Sequence, residues 1–281
     1  MVDHRLYVSD LDGTLLRPDR TLGPRTRRAI ARFVAAGGRF TVATGRSAPS
    51  TAGRLEGLEL GLEAIVHNGA LTADLSTGAV SDAVPMPGDA AAALFSGAVE
   101  RGLCPVAYAL PAAGDAATTL LRGPGPNAPT RRYLESVDGM HEHVVLEHGA
   151  PLADGLVPLA LIVLDAPGRI AELFARHCGP GAGLVAYPGH SAYTPGLGVG
   201  EVTALEAGKS RAAARLARDL GLAGLQDVVA FGDNHNDLPL LHAAGEALCP
   251  HSADPEVLAQ IPGRVDSAAR EGVARYLERL L

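Results

Sequence analysis

Short apolar runs that end in polar or glycine-containing turns recur through the first quarter of the chain. A segment with apolar residues at helical spacing begins at Pro24 and ends at the Gly37-Gly38 pair, and a second helical segment reaches about as far as Leu58. Strands that alternate with helices in this way predict a parallel sheet with right-handed crossovers. The strand-like runs are residues 6–9, 39–43 and 64–66.

The composition and the pattern of apolar runs change near residue 83. Residues 83–200 are rich in Ala, Gly and Pro, and their short strand-like and helical runs predict a separate α+β module. The alternating pattern then resumes, with an apolar strand at residues 228–231 and an amphipathic helix at residues 271–281. We therefore predict an α/β fold whose Rossmann-like parallel-sheet core comprises residues 1–82 and 201–281, interrupted by an inserted α+β domain.

The composition is that of a globular protein with an acidic balance. The 281 residues are 47% hydrophobic and 20% charged, the formal net charge is -7 and the isoelectric point is near 5.8. Because the chain has no basic stripe, the charge argues against a nucleic-acid partner. Nothing in the composition indicates an oligomeric state.

Targeting and membrane signals are weak throughout the sequence. Residues 1–20 carry charges without the apolar core of a signal peptide. The longest strongly apolar run, residues 156–164, is too short to span a bilayer and contains Pro158. The three cysteines are widely spaced and form no metal-binding pattern. We expect a cytoplasmic protein with no membrane partner.

Two carboxylates follow the first predicted strand. Asp10 and Asp12 are separated by one residue and precede Gly13, so an extended backbone would point both side chains the same way. Such a pair can bind a cation or divide the roles of nucleophile and proton donor, and it is equally compatible with an ordinary turn. Thr44 and Arg46 follow the second strand, and in parallel sheets ligands bind beyond these carboxyl ends.

The polar residues of the last third include the single lysine of the chain. Lys209 stands at the start of a helical run, where the helix dipole disfavours a cation unless an anion lies nearby. Asp233, Asn236 and Asp237 follow the apolar strand at residues 228–231. On their own, these residues could simply cap the next helix.

In this order, the polar stretches resemble the four motifs of the haloacid dehalogenase (HAD) superfamily, and in detail the Cof-type phosphatases of its subclass IIB. The resemblance implies a HAD-like core with a C2-type cap at residues 83–200 that selects the substrate. The matching stretches are DxDGT at residues 10–14, TGR at 44–46, NGA at 68–70, GKS at 208–210 and GDNxND at 232–237.

This resemblance implies a Mg²⁺-dependent phosphatase that hydrolyses the phosphate monoester of a small metabolite, such as a sugar phosphate. Asp10 would attack phosphorus, form an aspartyl-phosphate and bind Mg²⁺. Asp12 would exchange protons with the leaving oxygen and the attacking water, and its backbone carbonyl would be a second metal ligand. Asp233 would be the third.

Other residues would act on the phosphoryl group or support the site. Lys209 would be catalytic together with the two acids of the first motif. Thr14 and Asp237 would support these groups without contacting the substrate. The residues that would hold the phosphoryl oxygens are Thr44, Gly45, Arg46, Lys209 and Asn236.

Alternatives to hydrolysis remain open. A phosphomutase of the same superfamily shares both aspartates of the first motif, and a catalytically silent binding protein could keep the fold. The sequence also departs from the Cof-type pattern after the last motif, where residues 248–253 replace a Met-Gly-Asn-Ala-like stretch. This departure affects expectations about the substrate side of the site.

Overall fold

The computed structural model describes residues 3–111, 119–123, 125–137, 139–140, 143–146, 156–190 and 196–281. The chain divides into two compact units, one of Met1–Thr77 with Gly208–Leu281 and the other of Gly78–Ala207. The second unit is therefore inserted into the first. The boundary that we expected after residue 200 falls inside a strand of the inserted unit.

The helices and strands follow one another in three parts of the chain. The first part contains β1 (Leu6–Ser9), α1 (Pro24–Ala35), β2 (Arg39–Val42), α2 (Ala48–Arg54), β3 (Ala64–Val66) and β4 (Leu71–Ala73). The middle part contains β5 (Val80–Ala83), α3 (Gly88–Glu100), β6 (Val106–Pro111), β7 (Thr119–Arg122), α4 (Ala128–Ser136), β8 (His143–Val145), β9 (Leu156–Asp165), α5 (Pro167–His177), β10 (Leu184–His190) and β11 (Gly198–Ala204). The last part contains α6 (Lys209–Asp219), β12 (Val228–Phe231), α7 (Leu238–Ala243), β13 (Glu246–Pro250), α8 (Pro255–Gln260), β14 (Arg264–Val265) and α9 (Gly272–Glu278).

A parallel sheet in the order β14-β13-β12-β1-β2 forms the centre of the first unit. Leu6 in β1 is in register with Val228 in β12 and with Arg39 in β2, so the first motif and the last lie on adjacent strands. Every residue of β1 and β12 is buried, which explains why both strands read as continuous apolar runs. The predicted α/β class with a parallel-sheet core is confirmed.

Helix α1 covers one face of this sheet. Its buried residues Ala29, Ile30 and Phe33 recur at helical spacing, and the Phe33 ring packs edge-on against Tyr7 of β1 at 4.9 Å between centroids. A Cβ on Gly38 would lie 2.3 Å from the Phe33 ring, so the chain can turn back here only because residue 38 is a glycine.

Strand β3 departs from the predicted pattern. It joins the parallel sheet through a single bridge between Ala43 and Ile65, and it pairs antiparallel with β4, a strand that the sequence analysis did not predict. The reversal occurs at Asn68 and Gly69, whose φ angles of +53° and +89° lie in the left-handed region that Asn and Gly tolerate best.

The inserted unit contains a sheet in the order β10-β11-β9-β6-β7-β8, antiparallel except between β7 and β8. Helices α3 and α5 pack on one face and contribute Leu94 and Leu173 to its core, while Tyr133 of α4 packs on the opposite face. This arrangement confirms the predicted α+β insertion. Among the described residues, no helix is long and apolar enough to cross a membrane.

The amino end of α1 is capped by a residue from the other end of the sequence. Glu271 accepts hydrogen bonds from the backbone N–H of Thr26 at 2.7 Å and from its hydroxyl at 2.9 Å, and Arg17 donates to the other carboxylate oxygen at 2.7 Å. A Cβ on Gly23 would lie 2.2 Å from Glu271 Oε2, so only glycine leaves room for this carboxylate. Burial alone would raise the pKa of Glu271, but the hydrogen bonds from Arg17 and Thr26 lower it.

We predict that Glu271→Gln lowers the free energy of unfolding by about 1–2 kcal/mol at neutral pH, because the charge-assisted cap of α1 is lost. A carboxyl whose pKa is lowered in the folded state stabilises the protein above the unfolded-state pKa. That stabilisation is lost as the pH falls through the folded-state pKa, which lies below the ordinary pKa of a glutamate, so the difference from wild type should shrink at acidic pH and vanish below that pKa. Urea denaturation across this range measures it, with Glu56→Gln on the exposed surface as the control. A deficit independent of pH would contradict this account.

Candidate active site

The polar residues that follow β1, β2 and β12 lie together at the carboxyl edge of the parallel sheet. The backbone N–H of Asp10 donates to the carbonyl of Phe231 at 2.8 Å, so Asp10 continues β1 alongside β12. The N–H of Ala43 donates to the carbonyl of Ser9 at 2.9 Å and continues β2 in the same way. The strand order thus brings residues far apart in the sequence to one edge.

Lys209 lies between two carboxylates at this edge. Its ammonium donates to Asp10 Oδ1 and to Asp237 Oδ1, each at 2.6 Å, and only 2% of the residue is exposed. Burial alone would lower the pKa of Lys209, but the charges of Asp10 and Asp237 raise it above its ordinary value. The two carboxylates are the anions that a lysine at the start of α6 requires.

Asp237 has both of its carboxylate oxygens engaged. Besides Lys209, it accepts hydrogen bonds at Oδ2 from the backbone N–H groups of Asp233 at 3.0 Å and Asn234 at 3.1 Å. It therefore closes the turn after β12 and at the same time holds the lysine. The capping interpretation and the functional interpretation of this residue describe the same set of contacts.

Asp233 lies against the loop that follows Asp10. The hydroxyl of Thr14 donates to Asp233 Oδ1 at 2.6 Å. Gly13 has a φ of +88°, and a Cβ at this position would lie 2.2 Å from Asp233 Oδ2. A glycine is required here both for the backbone angle and for the approach of the carboxylate.

The three acids form a compact cluster. One carboxylate oxygen from each of Asp10, Asp233 and Asp237 lies within 4.8 Å of the others. Burial, aided by the charges of Asp237 and Asp233, raises the pKa of Asp10 well above its usual value against the opposing charge of Lys209. Burial and the charge of Asp237 likewise raise the pKa of Asp233 to about 7.

These raised pKa values share one origin, a shortage of positive charge in a buried cluster. Three carboxylates and one ammonium leave two negative charges uncompensated when all four groups are ionised. A hard divalent cation with a preference for oxygen ligands matches this donor set. Since the oxygens of Asp237 are engaged elsewhere, Asp10 and Asp233 are the carboxylates that suit such a cation.

Asp12 occupies a different environment from Asp10. Its side chain is 46% exposed, whereas Asp10 is buried. Arg46 holds it with two parallel bonds, from Nε to Oδ2 at 2.5 Å and from Nη2 to Oδ1 at 2.6 Å. The two acids of the first motif thus differ in both accessibility and cationic partner.

The remaining predicted residues lie on the loops that follow β2 and β12. Thr44 is buried, and its hydroxyl accepts a hydrogen bond from the backbone N–H of Arg46 at 3.2 Å, with Gly45 partly exposed between them. The side-chain amide of Asn236 donates to Asn68 Oδ1 at 2.9 Å, and Asn68 is buried.

The sequence analysis missed two contributions. Ser50 accepts a hydrogen bond from Arg46 Nη1 at 3.1 Å, and their separation of four residues at the start of a helix was the available signal. Gly69 lets the turn after β3 approach the start of α6, since a Cβ there would lie 2.4 Å from the carbonyl carbon of Gly208. Nothing in the sequence pattern indicates that second contact.

Fold and site together define an α/β enzyme with a carboxylate-rich centre at the carboxyl edge of its sheet. Residues 7–277 match the family model described as haloacid dehalogenase-like hydrolase. The chain belongs to this family of hydrolases, which confirms the family prediction made from the motifs.

Similarity to characterised relatives extends over almost the whole chain. The chain is 27% identical to the pyridoxal phosphate phosphatase YbhA of Escherichia coli, over 97% of each protein. It is 25% identical to the 5-amino-6-(5-phospho-D-ribitylamino)uracil phosphatase YwtE of Bacillus subtilis, over 97% of this chain and 96% of the relative.

Solved structures share the fold at low sequence identity. A haloacid dehalogenase-like hydrolase from B. subtilis superposes with a TM-score of 0.79 at 18% identity, covering 99% of this chain and 100% of the other. The subclass IIB sugar phosphatase BT4131 superposes with a TM-score of 0.76 at 17% identity, with the same coverage of both chains.

We predict that Lys209→Met lowers the free energy of unfolding by roughly 3–5 kcal/mol near pH 8, because it leaves two buried carboxylates unpaired. Unpaired buried carboxyls have raised pKa values, and such groups destabilise the folded state more as the pH rises above the unfolded-state pKa. The deficit should therefore shrink when unfolding is measured near pH 5. Arg218→Met, on the exposed face of the same helix, is the matched control. An equal deficit at both pH values would show that the carboxylates are not its source.

Proposed function

We propose that this protein is a Mg²⁺-dependent phosphatase that hydrolyses the phosphate monoester of a small metabolite, a sugar phosphate or a similar compound. The observation that carries the proposal is the division of the first motif into a buried acid held by Lys209 and an accessible acid held by Arg46. Two relatives that match nearly the whole chain are named phosphatases of small phosphorylated metabolites, which supports the reaction and the substrate class.

The donor set supports Mg²⁺ as the cofactor. The carboxylates of Asp10 and Asp233 would hold the ion together with the backbone carbonyl of Asp12, and oxygen ligands of this kind suit Mg²⁺. When bound, the ion supplies positive charge that neutralises the phosphoryl oxygens.

Asp10 is the nucleophile in this proposal. Its carboxylate attacks phosphorus, the ester bond between phosphorus and the leaving oxygen breaks, and an aspartyl-phosphate forms. Lys209, whose ammonium lies 2.6 Å from Asp10 Oδ1, favours the ionised carboxylate. In this proposal it also binds a phosphoryl oxygen. Asp237 keeps that ammonium in place.

Asp12 moves the protons. It gives a proton to the leaving oxygen as the ester bond breaks. It then takes one from the water that attacks the aspartyl-phosphate, which releases inorganic phosphate and the Asp10 carboxylate. Its 46% exposed side chain gives it access to both the leaving group and water, in contrast to the buried Asp10.

Other residues position the phosphoryl group and the site. In this proposal Thr44, Gly45 and Asn236 bind the phosphoryl oxygens, and Thr14 supports Asp233 through its 2.6 Å hydrogen bond. In this proposal the inserted α+β unit is the cap that selects the substrate.

We predict that Asp10→Asn abolishes phosphate release, lowering kcat by more than about a thousandfold, because the amide cannot form the aspartyl-phosphate. A panel of phosphorylated metabolites with Mg²⁺ present, assayed for free phosphate, measures the effect. Asp219→Asn on the exposed surface of α6 is the control. Full activity of Asp10→Asn would contradict the assignment, and an isomeric phosphate ester in place of free phosphate would indicate a mutase.

We predict that Mg²⁺ raises the melting temperature of the wild type and of Asp12→Ala, but not that of Asp233→Asn. Binding at about a hundred times Kd stabilises a folded protein by roughly 2.7 kcal/mol, and only the last variant lacks a carboxylate ligand. Turnover should nevertheless collapse in Asp12→Ala, because the proton shuttle is gone. Thermal unfolding with and without Mg²⁺, alongside phosphate release, separates the two roles. If Asp12→Ala and Asp233→Asn lost the Mg²⁺ stabilisation equally, the separate roles given to Asp12 and Asp233 would be contradicted.

A further inference from the structure

In the ion pair between Arg46 and Asp12, the arginine is the more buried partner. The Arg46 side chain is 13% exposed and that of Asp12 is 46% exposed. Arg46 Nη1 also donates to the hydroxyl of Ser50 at 3.1 Å, and Ser50 is a buried residue of α2. The guanidinium is therefore anchored in the protein, and it presents its remaining edge to the accessible carboxylate.

The backbone of Arg46 is fixed as well. Its N–H donates to the hydroxyl of Thr44 at 3.2 Å, and its carbonyl accepts a hydrogen bond from the backbone N–H of His67 at 2.9 Å. The end of β2, the start of α2 and the turn after β3 all meet at this residue. A long side chain that is held at both ends loses little additional freedom when it binds a carboxylate.

We propose that Arg46 is a positioning residue for Asp12, and this rests on the proton-transfer role given to Asp12 above. The planar guanidinium bonds both carboxylate oxygens at once, which fixes the plane of the carboxylate as well as its place. Each oxygen keeps a second lone pair. The proton that Asp12 gives to the leaving oxygen is bound at one of these lone pairs. The same position later accepts the proton of the attacking water.

A positioning role for Arg46 and direct binding of the substrate phosphate by Arg46 predict different effects on kcat and KM. The loss of a phosphate contact affects every phosphate monoester alike and raises KM. A residue that positions the proton donor acts on kcat, and its effect on phosphoryl transfer depends on how much the leaving group needs a proton. An alkoxide leaves poorly without protonation, whereas 4-nitrophenolate leaves unaided.

Arg46→Gln should therefore lower kcat for an alkyl phosphate by about a hundredfold, with KM changed by less than about threefold. With 4-nitrophenyl phosphate, the first turnover should remain within about threefold of wild type and appear as a burst of nitrophenolate. The slow phase after the burst reports the water step, which also needs Asp12. Arg46→Lys should not restore the alkyl phosphate reaction, because a single ammonium cannot hold both oxygens.

A double-mutant cycle shows whether Arg46 acts through Asp12. If it does, Arg46→Gln has less than about a twofold effect on the alkyl phosphate reaction once Asp12→Asn is present. Arg54→Gln, at the end of α2, is the control and should keep wild-type kinetics. Ser50→Ala keeps the guanidinium but removes its anchor. It should show the same leaving-group pattern at a smaller size, which covers the case in which Arg46→Gln does not fold.

Two results would overturn the inference while leaving the proposed function intact. One is a raised KM with unchanged kcat for both substrates, and the other is independent, multiplicative effects of Arg46→Gln and Asp12→Asn. Either would assign Arg46 to the phosphate instead of to Asp12. Full turnover in Asp12→Asn would instead contradict the acid–base role of Asp12, on which this inference depends.

Discussion

The ammonium of Lys209, held between the carboxylates of Asp10 and Asp237, is the interaction on which the site depends. Removing three charges from water costs several kcal/mol per ion, and only close pairing with full hydrogen bonding offsets that cost. The two 2.6 Å contacts supply the pairing, and they also join β1, the start of α6 and the turn after β12. The positions of these three elements and the ionisation of the site are therefore not independent.

Close backbone approaches complete the arrangement around this ion cluster. Gly13 makes room for the carboxylate of Asp233, and Gly69 makes room for the backbone of Gly208, which immediately precedes Lys209. Each contact lies on a loop at the carboxyl edge of the sheet, where side chains larger than hydrogen would separate the charged groups. The glycines of the motifs thus contribute to the electrostatics of the site, because ion pairing weakens as the distance between the charges grows.

The parts of the structure that local pattern encodes were predictable, and the parts that depend on distant contacts were not. Strands β1 and β12 could be predicted because both are wholly buried and end at polar turns. Strand β4 was not assigned, although Asn68-Gly69 is compatible with a tight hairpin turn, because the length and apolarity of β3 do not specify the direction of its pairing. The family motifs predict that Arg46 holds phosphoryl oxygens, and the structure adds that its guanidinium is bonded to Asp12. Long side chains can reach several partners, and sequence spacing alone does not choose among them.

The contrast between Lys209 and Arg46 explains why a chain that otherwise uses arginine for positive charge contains one lysine. An ammonium is a compact charge that can donate to carboxylates arriving from different directions, as Asp10 and Asp237 do. A guanidinium is a planar fork that suits a single carboxylate, as at Asp12. Because Asp10 and Asp12 are only two positions apart, it is these cations, brought in from distant parts of the chain, that give the two acids different surroundings.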